Sequence, residues 1–346
     1  MAGAAAAGGH DARPRLDFAL GTLSTADLFA ADDFARLQAR CRTNMDAPLR
    51  RLDGPSARDR LANTDILVTG WGCPPIGAAV LDAAPSLRLI AHAAGSVKAW
   101  ALRDILARGV AVVTAADANA LPVAEFTLAT ILGANKRIGD YAALYRRERR
   151  GLELSLNAPA AVGNWHKTIG IVGASRIGRR VIELLRPFDL SVLLFDPFVE
   201  AASAAVLGAE KVELDVLLRR SDVVSLHAPS LPETRHLIDG RGLALMRDGA
   251  ILINTARGAL IEQSALEREL VAGRLWAAID VTEPEVLPAD SPLYDLPNVV
   301  LTPHIAGALG NERLRFGRLV TDEVERFVSG EALRHAVDPL TIDRQA

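Results

Sequence analysis

Cysteine is nearly absent from this 346-residue chain, which has two, Cys41 and Cys73. Two thiols cannot build a disulfide framework or a cysteine-ligated zinc site, and they fit a reducing compartment. Lysine is scarce as well: Lys98, Lys136, Lys167 and Lys211 are four among 39 basic residues, an arginine bias to which no function attaches. Neither charge is in excess. With 39 basic against 42 acidic residues the net charge is −3, which gives the chain as a whole no electrostatic reason to bind nucleic acid or an anionic membrane. Long hydrophobic runs are also missing, so no membrane-spanning helix is expected. The opening MAGAAAAGGHDARPR has no cationic stretch before its short alanine run. It reads as neither a signal peptide nor a span, and residues 1–14 are expected to be disordered. No repeat of fixed period is visible, which excludes a solenoid or propeller. The expected location is the cytoplasm.

What is present is an ordinary globular balance, 50% hydrophobic and 23% charged, at a length that suggests about two domains. Short β-branched runs alternate with helix-period segments. DILVTG (65–70), LRLIAHAAG (87–95) and GVAVVT (109–114) read as strands. So do TIGIVG (168–173), SVLLFD (191–196), DVVSLH (222–227), AILINT (250–255), LWAAIDV (275–281) and NVVLTPH (298–304). Continuous apolar strands alternating with helices such as RIGRRVIELLRPF (176–188) predict an α/β protein whose parallel sheets are covered on both faces. The stretch 123–146, after Pro122, is expected to be one long helix linking the halves. A last helix over 311–330 presents Leu314, Val320, Val324, Phe327 and Val328 mainly on one face, and its packing partner is left open.

GIVGASRIG (170–178) lies between an apolar strand and a helix-period run. The dinucleotide fingerprint would put glycines at 173, 175 and 178. Gly173 and Gly178 are there, while Ser175 stands at the middle position. The middle glycine lets the backbone approach the pyrophosphate, and Ser175 narrows that approach; its hydroxyl has two readings, a phosphate donor or a helix N-cap. Asp196 ends the next strand, where an acid binds ribose hydroxyls and repels a 2′-phosphate, so NAD is expected rather than NADP. A plain turn at Asp196-Pro197 is the alternative.

Further motifs make the chain recognisable: PVAEFTL (122–128), SLHAPSLPETRHLI (225–238), ILINTARGALIE (251–262), AAIDVTEPEVLP (277–288) and LTPHIAG (301–307). In order and spacing it resembles the D-isomer-specific 2-hydroxyacid dehydrogenases over about residues 60–335. The resemblance implies a Rossmann-type doubly wound parallel sheet over residues 119–307, inserted in a smaller flavodoxin-like substrate domain of residues 1–118. Residues 308–346 would return to that smaller domain, with no regulatory domain appended. It also implies a homodimer formed through the NAD-binding domain, with the helix near 123–137 at the interface. The expected reaction interconverts a small D-2-hydroxy acid and its 2-keto acid. A non-enzymatic NAD(H)-sensing, corepressor-like protein of the same fold is the rival reading.

By the same resemblance, Arg257 binds the substrate carboxylate and carbonyl, His304 is the acid/base, and Glu285 supports His304, with Glu283 as the alternative partner. Val286 stands where the family usually has proline. For the cofactor, the resemblance implies Gly173, Ser175, Arg176, Ile177 and Gly178 at the pyrophosphate and Asp196 at the ribose. His227 falls on the adenosine side. Thr255, Ala256, Arg257, Asp280, His304 and Gly307 fall on the nicotinamide side. For the substrate it implies the Gly95-Ser96-Val97 loop, Asn119 and Arg257, although Ser96 also reads as ordinary turn chemistry. No metal site is expected, and His92 and His236 read as structural. The group on C2 of the substrate is not legible; Lys98 and Arg103 are candidate cations for a phosphate tail.

Overall fold

A computed structural model describes residues 12–339. Most of the expected lead-in lies outside the described residues, but its end is tied down. Arg13 donates to the Gln38 carbonyl at 2.7 Å, and Pro14 accepts from the Arg42 amide at 2.9 Å. Arg13 and Pro14 are therefore held by hydrogen bonds rather than loose.

The chain forms two compact units, one running to Asn119 and resuming at Gly310, the other spanning Ala120–Leu309. The first unit carries five parallel strands: β1 Arg15–Ala19, β2 Arg42–Thr43, β3 Ile66–Thr69, β4 Leu89–His92 and β5 Ala111–Thr114. Their order β2-β1-β3-β4-β5 is the flavodoxin-like one. Three of the five coincide with the apolar runs read from sequence. Strands β1 and β2 were not expected, and Asp17 explains the first. It sits buried in the middle of β1, paired with Arg60 and accepting from Asn44, so a charge interrupts the apolar run. Such a buried pair is costly to break, by about 3–5 kcal/mol if one partner is removed.

The last helix, Leu314–Val328, belongs to this first unit. Phe316, Val320 and Val324 are buried, whereas Leu314, Phe327 and Val328 flank the buried stripe. A Cβ on Gly317 would lie 1.8 Å from the Leu28 carbonyl oxygen, so backbone packs directly on backbone there. Arg36, on helix Ala31–Arg40, pairs with Asp322 and Glu325. Beyond the helix, the buried Glu323 carboxylate accepts from the amides of Arg334 and His335. Ala336 then bridges antiparallel to Val113 of β5.

The second unit has seven parallel strands: β6 Lys167–Val172, β7 Leu190–Phe195, β8 Glu210–Lys211, β9 Val223–Leu226, β10 Ile251–Asn254, β11 Trp276–Ile279 and β12 Val299–Leu301. They run in the order β12-β11-β10-β9-β6-β7-β8. This is the doubly wound Rossmann arrangement, with its order reversing between β6 and β9. Ligands of such sheets bind outside the carboxyl ends of the strands at that reversal. The edge strand β8 is two charged residues long and has no apolar signal to read.

The expected single helix over 123–146 is corrected to two, Ala116–Asn135 and Ile138–Glu148, with Pro122 inside the first. Arg137 breaks them at φ +51°, with its guanidinium 3.9 Å from the centre of the Trp276 ring. Buried Asn135 fixes the break by accepting the Gly163 amide on its carbonyl and donating its side chain to Asn164. Among the described residues, no helix is long and apolar enough to cross a membrane. Cys41 and Cys73 are free thiols, pushed up by burial to about 11 and about 12.

At the end of β4, His92 is buried, hydrogen-bonded to Thr69 Oγ1 at 2.9 Å and to the Ser96 backbone, with its ring edge-on to Trp100. Burial lowers its pKa from 6.5 to about 4. The unfolded ring therefore takes up a proton where the folded ring does not. Its contribution to stability is complete above pH 6.5 and is lost as pH falls toward 4. Thermal melts should show Tm falling between about pH 7 and pH 5, and falling less steeply in His92→Gln. Equal slopes would mean that His92 does not contribute.

Candidate active site

The turn after β6 is dictated by two glycines. Gly173 has φ +98°, and a Cβ on it would stand 2.7 Å from the Ala228 amide nitrogen. A Cβ on Gly178 would stand 2.1 Å from the Gly173 carbonyl oxygen. Left-handed backbone and absent space both demand glycine here. Ser175 has an ordinary extended conformation and caps helix Arg176–Leu185, accepting from the Gly178 amide at 3.3 Å. Of its two readings, the N-cap is the one the geometry displays. The first intrahelical bond runs from the Arg179 amide to the Ser175 carbonyl, so the amides of Arg176 and Ile177 precede it. Such a terminus favours an anion.

Asp196 follows β7. One carboxylate oxygen accepts from the Ala174 amide at 2.7 Å and the other from the Phe198 amide at 2.8 Å. It therefore caps its own turn and also pins the glycine turn. His227 follows β9 and is buried, with Nε2 hydrogen-bonded to Ser225 Oγ at 2.9 Å. Its Nδ1 has no partner, and burial lowers its pKa to about 3, so the ring is neutral.

After β10 the chain enters Thr255-Ala256-Arg257. Thr255 shares a buried hydrogen bond with Thr127 at 3.1 Å. Arg257 is exposed and donates from Nη1 to the Ala256 carbonyl at 2.6 Å. The next residue, Gly258, lies against another loop: a Cβ there would be 2.1 Å from the Thr282 carbonyl carbon and 2.6 Å from the Glu283 nitrogen. Arg257 is thereby brought beside the segment that follows β11.

In that segment Thr282 Oγ1 bonds the carbonyls of Pro284 and Glu285 at 2.7 and 3.0 Å, folding the loop on itself. Glu285 then hydrogen-bonds His304 Nδ1, whereas Glu283 pairs with Arg235 at 2.8 Å. Both members of the Glu285–His304 pair are about half exposed. His304 itself has φ +55°. Asp280 holds its loop: one carboxylate oxygen accepts from Thr302 Oγ1 and the Ile305 amide, the other from the Ala306 amide, all within 2.9 Å. The carboxylate assigned by resemblance to the nicotinamide thus already has three donors. Gly307 follows directly.

Gly95, Ser96, Val97 and Asn119 lie in the first unit. The Asn119 side-chain nitrogen is 3.8 Å from where a Gly95 Cβ would be, and Ser96 Oγ reaches only to the Lys98 amide, at 3.5 Å. Sequence reasoning passed over Asn254, Thr282 and Thr302, which shape the loops bearing Arg257, Glu285 and His304. Their signal is a small polar residue at or just after a strand end, which marks turns of every kind. Among the described residues, no group of three metal-ligating side chains occurs.

A family model described as D-isomer specific 2-hydroxyacid dehydrogenase, NAD binding domain, matches residues 128–306. The chain is 37% identical over 84% of its length to D-3-phosphoglycerate dehydrogenase of Mycobacterium tuberculosis, of which it covers 54%. It therefore spans about half the length of that relative. It is 35% identical to glyoxylate reductase of Korarchaeum cryptofilum, with 79% of this chain and 82% of the relative covered. The crystal structure of Rhodotorula graminis D-mandelate dehydrogenase matches with a TM-score of 0.78 at 26% identity, over 94% of this chain and 98% of that one. Glycine turn, acid after the second strand, Arg loop and Glu–His pair all lie within the matched fold, and the chain belongs to the D-isomer specific 2-hydroxyacid dehydrogenase family, whose NAD binding domain it carries.

Proposed function

We propose that this chain is an NAD-dependent oxidoreductase that interconverts a D-2-hydroxy acid and a 2-keto acid. The observation that carries the reading is the Glu285–His304 hydrogen bond beside the Arg257 loop, in a unit whose glycine turn and helix terminus suit a dinucleotide. When bound, a nicotinamide would supply or accept the hydride at C2. Arg257 binds the substrate carboxylate and carbonyl oxygen through its planar, always-charged fork. His304 gives a proton to that oxygen during reduction and takes it back during oxidation. Glu285 orients the ring and stabilises its protonated form. The amides of Arg176 and Ile177 hold the pyrophosphate and Asp196 the ribose, with Ser175 serving the turn.

The first-unit loop Gly95–Val97 is assigned the substrate carboxylate, and the acid itself is a small one of this class. A cytoplasmic homodimer completes the proposal. The homodimer is proposed through the NAD-binding unit, with the helix near 123–137 at the interface; the next helix, Ile138–Glu148, buries none of its residues and leaves Ile138 and Tyr145 exposed.

Removing one preorganised donor to a developing oxyanion costs roughly 3–4 kcal/mol. Arg257→Ala and His304→Ala should each lose about a hundredfold or more in turnover while NADH affinity stays within a few fold. Steady-state kinetics over a panel of 2-keto acids, with NADH titrations alongside, checks this. Normal turnover by His304→Ala would remove the mechanism, and tight NADH binding with no turnover on any acid would leave an NAD(H) sensor.

Gly258→Ala tests the placement of Arg257 without touching a reacting group. The methyl has no space against the Thr282–Glu283 peptide, so the two loops must part. Misplacement by about 1 Å costs on the order of a hundredfold. Turnover should fall by about that factor, and wild-type kcat/KM in this variant would show that the contact is irrelevant to the chemistry.

A further inference from the structure

Asn254 ends β10, is fully buried, and takes no part in the chemistry proposed above. Its side chain turns back over its own loop. Oδ1 accepts from the Ala256 amide at 3.1 Å, and Nδ2 donates to the Arg257 carbonyl at 2.9 Å. The Asn254 backbone carbonyl meanwhile accepts from the Asp280 amide at 3.0 Å, the residue whose carboxylate folds the His304 loop.

The Ala256–Arg257 peptide is thus held from three directions. Asn254 fixes the Ala256 N–H, Asn254 fixes the Arg257 C=O, and the Arg257 guanidinium itself anchors to the Ala256 C=O at 2.6 Å. One buried group must accept at one end and donate at the other. A carboxamide of this length offers both at every pH; a carboxylate accepts at both ends unless it is protonated, and an apolar side chain does neither. Planar recognition of a carboxylate by arginine depends on direction as well as charge. The residue that sets the backbone from which the guanidinium leaves therefore controls how well the fork meets its ligand.

We propose that Asn254 is the positioning residue for Arg257, and that its carboxamide sets the affinity of the site for the carboxylate of a 2-keto or 2-hydroxy acid. The proposal rests on the reading of Arg257 as the carboxylate-binding group.

Asn254→Asp is the discriminating variant because it is isosteric. Ionised, it faces the Arg257 carbonyl with an acceptor and leaves that carbonyl only the longer bond from the Leu260 amide, at 3.3 Å. Protonated, its O–H can donate there and restore the bond. Burial favours the protonated form of a carboxyl group, which brings the change into a workable range. At about pH 8, KM of Asn254→Asp for the preferred 2-keto acid should exceed wild type by roughly tenfold or more, the cost of burying one carboxylate oxygen against the Arg257 carbonyl with no donor between them. The variant-to-wild-type ratio should move toward one as pH is lowered to about 5.5. Asn254→Ala should show raised KM at every pH without recovery. NADH affinity should stay within a few fold in both, which reports that the unit is folded.

Calorimetric titration of oxamate into the NADH-loaded protein at the same pH values gives a readout independent of turnover, and the same weakening and recovery are expected. Wild-type KM and oxamate affinity in both variants across the pH range would overturn the positioning role while leaving the dehydrogenase reading intact. If Asn254→Ala does not fold, Asn254→Asp decides alone, and a defect that does not recover at low pH overturns the role. Oxamate binding that depends on Asn254, without turnover on any acid, would uphold the role and remove the dehydrogenase reading. A wild-type chain that neither binds oxamate nor reduces any acid overturns both.

Discussion

Between Gly258 and the Thr282–Glu283 peptide there is no room for even one methyl group, because a Cβ would meet main-chain atoms at 2.1–2.6 Å. Main chain cannot step aside as the end of a flexible side chain can. The loop after β10 and the loop after β11 therefore hold a single separation, set by two backbones in contact. Arg257 precedes the glycine and Glu285 closely follows the peptide it touches. The spacing between the backbone positions that carry Arg257 and Glu285 is consequently set by main chain against main chain.

Around that contact the polar side chains work mainly on the protein itself. Asp280 spends its carboxylate on Thr302 and two amides of the His304 loop, and Thr282 folds the Glu285 loop. Asn254 does the same for the Arg257 loop. These groups are buried, where an unpaired donor or acceptor would cost about 1–3 kcal/mol, and each is paired. The exposed side chains, Arg257, Glu285 and His304, stand on this satisfied layer and are the ones left facing outward. Preorganisation here comes from buried amides and carboxylates rather than from the reactive groups.

Much of this was legible in the residues. Nine of the strands announce themselves as β-branched apolar runs, because strands covered on both faces have no polar side to interrupt them. Gly173 and Gly178 are legible because a tight turn and a close helix leave no alternative. What escaped has equally physical reasons. Strand β1 hides behind Asp17, whose partner Arg60 is distant in sequence, and β8 is too short and too charged to register. The helix break at Arg137 depends on Asn135 meeting Gly163 and Asn164 across the fold. VTEPEV offered two acids, and sequence could not show that Arg235 occupies Glu283 while Glu285 is left for His304. For Ser175 the sequence offered an N-cap, and its hydroxyl oxygen does accept from the Gly178 amide, a bond that leaves its O–H able to donate.

Asp196 binds the amides on both sides of it, Ala174 in the glycine turn and Phe198 in its own turn. The residue proposed to meet the ribose is also a strut of the glycine turn. A change that removed its acceptor oxygens would release the Ala174 amide in the same step. Exchanging Asp196 for a residue with no acceptor therefore alters the glycine turn and the end of β7 together, because one carboxylate ties the two.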